Sequence, residues 1–276
     1  MEHDPFTIKT NLRLKIMIEN SIRTSKLKPA FIPFITAGYP DLETTKELLF
    51  CLEKNGAAAI ELGLPFSDPL ADGAVIQEAA KQSIEGGTNV NKVFNLLEEI
   101  KGAVKTPIIL FTYYNLVLNY GEEAFVKRAK RVGVSGFILP DLPFEESVGF
   151  NALCKDAGLD FIMLVAPTSG EERIKIIAKN SSGFIYVVSS TGVTGVRESF
   201  SDILTDMVTQ IKSVTDTPIA VGFGVSKPEQ IKSLAKLNID GAIIGSAIIR
   251  LIKQYRDDRA MLSEKLTEYI KELYPT

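Results

Sequence analysis

Two acidic residues stand where acids are conspicuous. Glu61 closes an apolar, strand-like run over residues 57–60, and Asp72 follows in the connection Leu62-Gly63-Leu64-Pro65-Phe66-Ser67-Asp68-Pro69-Leu70-Ala71-Asp72-Gly73. Taking a carboxylate out of water is costly, and an apolar surrounding lifts its pKa toward neutrality, where general acid and base chemistry works best. Pro65 and Pro69 fix φ and remove backbone donors, so the connection is a shaped loop rather than slack chain. Together the pair reads as a two-carboxylate active site. Taken singly, Glu61 also suits a strand end reaching solvent, and Asp72 a turn or helix cap.

A second group of residues suits an anion. Gly222-Phe223-Gly224-Val225-Ser226 and Gly245-Ser246-Ala247 each follow a strand-like run, and the latter opens a helix-like run. Glycines let backbone amides approach an anion, and a helix N-terminus adds unpaired amides and the positive end of its dipole. Two such turns after adjacent late strands form a phosphate cradle, although Gly222 and Gly224 would also serve to relieve crowding. A third segment, residues 189–197, is long for its place; with Gly192 and Gly195 as hinges and Thr194 at its tip, it could close over a substrate.

The elements that must carry these groups recur along the chain. Eight runs of β-branched or small apolar residues, at 30–36, 57–62, 107–112, 134–139, 160–165, 183–189, 218–222 and 240–244, alternate with helix-like stretches. One longer gap holds two helices, 74–85 and 90–100. Eight parallel units of this regularity predict a (β/α)8 barrel, one domain over 1–276, in which reacting groups sit at strand C-terminal ends. Residues 12–22 predict an extra N-terminal helix, within residues 1–25, over the barrel's closed end; residues 261–274 predict the last outer helix. Ser169 before Glu172, and Ser226 before Glu229, have the spacing of capping boxes.

The balance of 31 basic against 34 acidic residues gives −3, without a basic block, which argues against nucleic acid or an anionic membrane as partner. No apolar run approaches a membrane span, and the first residues lack a secretion pattern, so a cytoplasmic location is expected. With one histidine, His3, and two distant cysteines, Cys51 and Cys154, no metal site is expected, and both cysteines read as plain thiols.

Taken together, Pro33-Phe34-Ile35-Thr36-Ala37-Gly38-Tyr39-Pro40, the Glu61 to Gly73 segment, Thr191-Gly192-Val193-Thr194-Gly195 and Gly222-Phe223-Gly224-Val225-Ser226 closely resemble the tryptophan synthase α subunit family. The resemblance runs from about residue 25 to the end. It implies a lyase that splits indole-3-glycerol phosphate into indole and glyceraldehyde 3-phosphate without a metal or organic cofactor in this chain. By similarity Glu61 shuttles protons and Asp72 hydrogen-bonds the indole N–H. Thr194 should reach Asp72, Phe34 and Tyr186 should line the pocket, and Gly195, Gly224, Gly245 and Ser246 match phosphate-binding positions. The resemblance also implies docking on a pyridoxal-phosphate β subunit in an α2β2 complex, with Asp68, Tyr114 and Asn115 facing that partner. Where some family members carry arginine in the closing loop, this chain has Ser190. Two other readings stay open at this point, a barrel kept only to bind and activate a β subunit and another sugar-phosphate barrel enzyme.

Overall fold

The computed structural model describes residues 17–188, 197–222 and 224–275. Strands form where apolar residues run together: β1 (Ala30–Thr36), β2 (Ile60–Gly63), β3 (Ile108–Phe111), β4 (Val134–Ile138), β5 (Asp160–Ile162), β6 (Leu164–Val165), β7 (Ile185–Val188), β8 (Ile219–Gly222) and β9 (Gly241–Ile244). Every residue of β1, β2, β3, β8 and β9 is buried, as expected of parallel strands covered on both faces. All pairings are parallel, in the order β5-β4-β3-β2-β1-β9-β8-β7-β6.

The two ends of that order, β5 and β6, are separated in sequence only by Met163. The eight-stranded barrel therefore stands, with its fifth strand broken into two short pieces. One pairs with β4 and the other with β7. Met163 donates its N–H to Ser181 Oγ (3.0 Å) and accepts from the Tyr186 N–H (3.0 Å), so a side chain replaces one rung of the ladder where the sheet closes. The second strand begins at Ile60 rather than at 57, since the Ala57 N–H bonds the Leu52 carbonyl (3.1 Å) at the end of the preceding helix.

Helices alternate with the strands: α1 (Met17–Thr24), α2 (Leu42–Lys54), α3 (Ala74–Glu85), α4 (Val90–Glu99), α5 (Tyr114–Tyr120), α6 (Glu122–Val132), α7 (Val148–Ala157), α8 (Glu171–Asn180), α9 (Arg197–Lys212), α10 (Pro228–Lys236), α11 (Ser246–Tyr255) and α12 (Arg259–Leu273). The long gap between the second and third strands holds α3 and α4, the latter capped by Asn89, whose Oδ1 accepts from the Lys92 N–H (3.1 Å). Neither expected capping box forms. Ser169 Oγ accepts from the Ala166 N–H (3.2 Å) in the preceding turn, and α8 starts after Gly170. At α10 the reaching side chain is Gln230, whose Oε1 accepts from the Ser226 and Lys227 amides (2.8 and 3.0 Å), so Glu229 is not the box residue.

In α1, Ile18 and Ile22 are fully buried, Ser21 Oγ donates to the Ala58 carbonyl (2.5 Å), and Arg23 donates to the Asp216 carbonyl. Ala58 and Asp216 precede β2 and β8, so this helix covers the N-terminal end of the barrel; the expected start near residue 12 lies outside the described residues. Outside the strands, a file of rings from Phe94 through Phe125, Phe137 and Phe150 to Phe161 packs α4, α6 and α7 onto β4 and β5, with successive centroids 5.3, 5.6, 5.5 and 5.4 Å apart. Edge and tilted pairs of this kind each add about 1 kcal/mol beyond the area they bury. Cys154 is buried in α7 and Cys51 half-buried in α2, both as free thiols.

Candidate active site

Glu61 is set by β2, in register with Phe34 of β1 and Ile109 of β3. Only 1% of it is exposed, and its Oε1 has no hydrogen-bond partner among the described residues. Burial alone drives its carboxyl well above the usual carboxylate range. An orphaned buried acceptor costs about 1–3 kcal/mol, a cost that a substrate proton donor would remove.

Asp72 sits in the loop between β2 and α3, whose turns are closed by Leu70 N–H to Asp68 carbonyl (2.9 Å) and Asp72 N–H to Pro69 carbonyl (3.0 Å). Burial pushes its carboxyl up to about 6, opposed by a hydrogen bond from Tyr113. That hydroxyl donates to Asp72 Oδ2 (3.0 Å) and accepts from the Ala71 N–H (3.1 Å), and its ring stacks on Phe66 with centroids 5.1 Å apart. Tyr113 follows β3, so a residue of the next strand pins the acid-bearing loop. In β7, Tyr186 is 4% exposed; burial and then the charges of Glu61 and Asp72 push its hydroxyl well above the ordinary phenol range.

These groups share one cavity of about 260 Å³ at the C-terminal ends of the strands, lined by Phe34, Glu61, Asp72, Ile76, Phe111, Tyr186, Gly224, Val225, Ser226, Ile243, Gly245, Ser246, Ala247 and Arg250. Phe34 meets Phe111 edge-on at 5.5 Å and forms part of its apolar wall. Seven of the residues singled out in the sequence, Phe34, Glu61, Asp72, Tyr186, Gly224, Gly245 and Ser246, therefore come together; Ser190, Thr194 and Gly195 lie outside the described residues.

The glycine motif after β8 divides into separate jobs. A Cβ at Gly222 would lie 2.3 Å from the Tyr186 hydroxyl oxygen, so this glycine makes room for the ring and is not among the cavity's lining residues. Gly224 has φ +88, which strains any other residue, and it does line the cavity. The Ser226 amide is already taken by Gln230. Across from it, Gly245 precedes α11 without a side-chain cap, leaving the first amides of that helix for an anion.

Asp68, Tyr114 and Asn115 lie on the rim after β2 and β3, outside the cavity lining. Asp68 and Asn115 are exposed, Leu70 beside them is 92% exposed, and Tyr114 donates its hydroxyl to Glu122 Oε1 (2.8 Å) and its N–H to Asp141 (3.0 Å). Sequence reasoning missed Tyr113, whose signal was an aromatic directly after a strand, and Arg250, one helical turn beyond Ser246. Among the described residues no three His, Cys, Asp or Glu side chains are grouped to hold a metal ion, and no helix is long and apolar enough to cross a membrane.

A parallel barrel with paired acids and an amide cradle at its strand C-terminal ends defines a class, the phosphate-binding (β/α)8 barrels that work by acid and base groups. Within that class the match is specific. The model of the tryptophan synthase alpha chain family covers residues 21–275, and the chain belongs to that family. It is 48% identical over 225 residues to the tryptophan synthase alpha chain of Prochlorococcus marinus, spanning 82% of this chain and 81% of that one. Against the tryptophan synthase alpha chain of Trichodesmium erythraeum it is 47% identical over 241 residues, 87% of this chain and 91% of the other. A mutant tryptophan synthase alpha-subunit of the hyperthermophile Pyrococcus furiosus superposes with a TM-score of 0.81 at 36% identity, over 91% of this chain and 99% of that one. A chain of the tryptophan synthase complex from the same organism superposes at 0.80 with 34% identity and the same coverage.

Proposed function

We propose that the chain is the lyase half of a tryptophan synthase, cleaving indole-3-glycerol phosphate to indole and glyceraldehyde 3-phosphate in tryptophan biosynthesis, in the cytoplasm. The observation that carries this reading is one cavity lined by both Glu61 and Asp72 and by Gly245 and Ser246 at the start of α11.

The reaction breaks a carbon–carbon bond. Indole C3 gains a proton, the neighbouring side-chain hydroxyl loses one, and the bond's electron pair passes to the ring as positive charge on its nitrogen is relieved. Glu61, whose carboxyl burial lifts well above the usual carboxylate range and whose Oε1 has no hydrogen-bond partner among the described residues, is the group that moves protons. Asp72, near 6 and held by Tyr113, stays ionised at neutral pH and accepts the indole N–H. Environments that separate two carboxyls in this way assign one to proton transfer and the other to charge stabilisation. Phe34 and Tyr186 pack the ring, and Gly224, Gly245 and Ser246 hold the phosphate; the family resemblance adds Gly195 to the phosphate site and Thr194 to the closing contact with Asp72.

No step requires a metal or organic cofactor in this chain. Indole then passes to a β subunit carrying pyridoxal phosphate, within an α2β2 complex. The rim bearing Asp68, Tyr114 and Asn115, with exposed Leu70, is the docking face. Release of indole from indole-3-glycerol phosphate, assayed with and without a β subunit, tests this directly. Activity that rises with the partner and is lost in Glu61→Gln is expected; a wild-type chain silent even with the partner bound would overturn it.

A further inference from the structure

We infer that Arg250 is the cation that holds the phosphate end of the substrate and sets the preference for a phosphorylated over a dephosphorylated side chain, an inference that rests on the phosphate reading of the cradle. Arg250 lies four residues after Ser246 on α11, and residues so spaced share one helix face. Its side chain lines the same cavity, where it is the one basic group among the described lining residues; the acids there are Glu61 and Asp72. Other cations nearby are engaged. Lys253 pairs with Glu78 (2.6 Å), and Arg259 with Glu47 (3.3 Å) and Asp41 (3.5 Å). Among the described residues Arg250 has no ion pair.

Tyr269 of α12 donates its hydroxyl to the Ser226 carbonyl (3.1 Å), and the Arg250 charge opposes the rise that burial gives that hydroxyl's pKa, so the guanidinium lies within electrostatic reach of it. Arg250 lines the cavity together with the cradle residues Ser226 and Ser246. Charge balance explains why it is needed. A phosphate ester brings close to two negative charges into a cavity that already holds two carboxyls, whereas a helix N-terminus offers only about half a positive charge. A guanidinium stays protonated and meets phosphate oxygens through paired N–H groups. A cation that takes the phosphate leaves Glu61 and Asp72 to the indole, which orients the substrate in the cavity they share.

The test uses three probes on the purified full-length chain: indolepropanol phosphate, the corresponding alcohol without phosphate, and inorganic phosphate. Arg250→Gln should weaken the ester and inorganic phosphate about tenfold, the scale of one lost charged hydrogen bond, and leave the alcohol unchanged. In turnover the loss should appear in KM rather than in kcat. Arg250→Lys, which keeps the charge but not the fork, should fall between. Wild-type affinity of Arg250→Gln for the ester would overturn the inference and leave the cradle standing, and equal weakening of ester and alcohol would reduce Arg250 to a packing residue. If the wild-type chain itself holds the ester no tighter than the alcohol, the phosphate reading fails and takes the inference with it.

Discussion

In the reading proposed above, the cavity works with two kinds of group: side chains, Glu61 and Asp72, each placed at a cost in burial, and backbone amides, of Gly224 and of the first turn of α11. The carboxylate wall stores its capacity in raised pKa values, so a single atom exchanged in a side chain should disable it. The cradle stores its capacity in chain path, which no side-chain exchange removes but a misplaced Cβ can. The first wall makes the chemistry and the second chooses what reaches it.

The carboxylate wall should yield the largest effects. Glu61→Gln preserves shape and removes the proton carrier, and we expect turnover to fall by about 10²- to 10⁴-fold in the indole-release assay. Binding of indolepropanol phosphate should survive, because the cradle is untouched; its loss would mean the two walls are not independent. Asp72→Asn should cost about 10²-fold, since it removes a fixed charge facing the ring nitrogen and leaves proton transfer through Glu61 in place. A loss equal to that of Glu61→Gln would show the two carboxyls acting as one proton-sharing unit.

The same contrast explains what could be read in the chain. Parallel strands covered on both faces become unbroken apolar runs, so all eight strands and the extra N-terminal helix were visible, while the split at Met163, which depends on Ser181 across a turn, and the start of the second strand at Ile60 were hidden. Glu61 was legible because an acid closing such a run is costly. Tyr113 and Arg250 were not, since a rim tyrosine and a helix arginine look like any amphipathic surface residue until their neighbours are known. The expected boxes at Ser169 and Ser226 failed for a similar reason: serine also serves the turn before a helix, and only the three-dimensional path decides which amide it meets.

Gly222 is where motif and structure part most clearly. Read locally it belongs with Gly224 to an anion cradle; in space it abuts Tyr186. Gly222→Ala should push the Tyr186 ring from its place and lower kcat/KM by about tenfold, as modest misplacements of substrate-positioning groups do. Inhibition by inorganic phosphate should stay at the wild-type level. Weakened phosphate inhibition with kcat unchanged would return Gly222 to the cradle.

The smallest and most diagnostic effect is expected at Tyr113, which touches the carboxylate wall without belonging to the reaction. Its hydroxyl lowers the Asp72 pKa, against burial, to about 6. Tyr113→Phe removes that donor and leaves the Ala71 N–H without its partner, so Asp72 should titrate higher still. Since the ionised form is the one that receives the indole N–H, the acid limb of kcat/KM should move to higher pH in the variant. At pH 8 both forms of the enzyme keep Asp72 charged, and the variant should lose only about fivefold, a loss of about 1 kcal/mol, because the charge stays and only its positioning by Tyr113 is removed. Near pH 6 the gap should widen, because the variant protonates Asp72 first. If the two pH profiles run parallel, burial alone sets the charge of Asp72 and Tyr113 serves only to stack against Phe66.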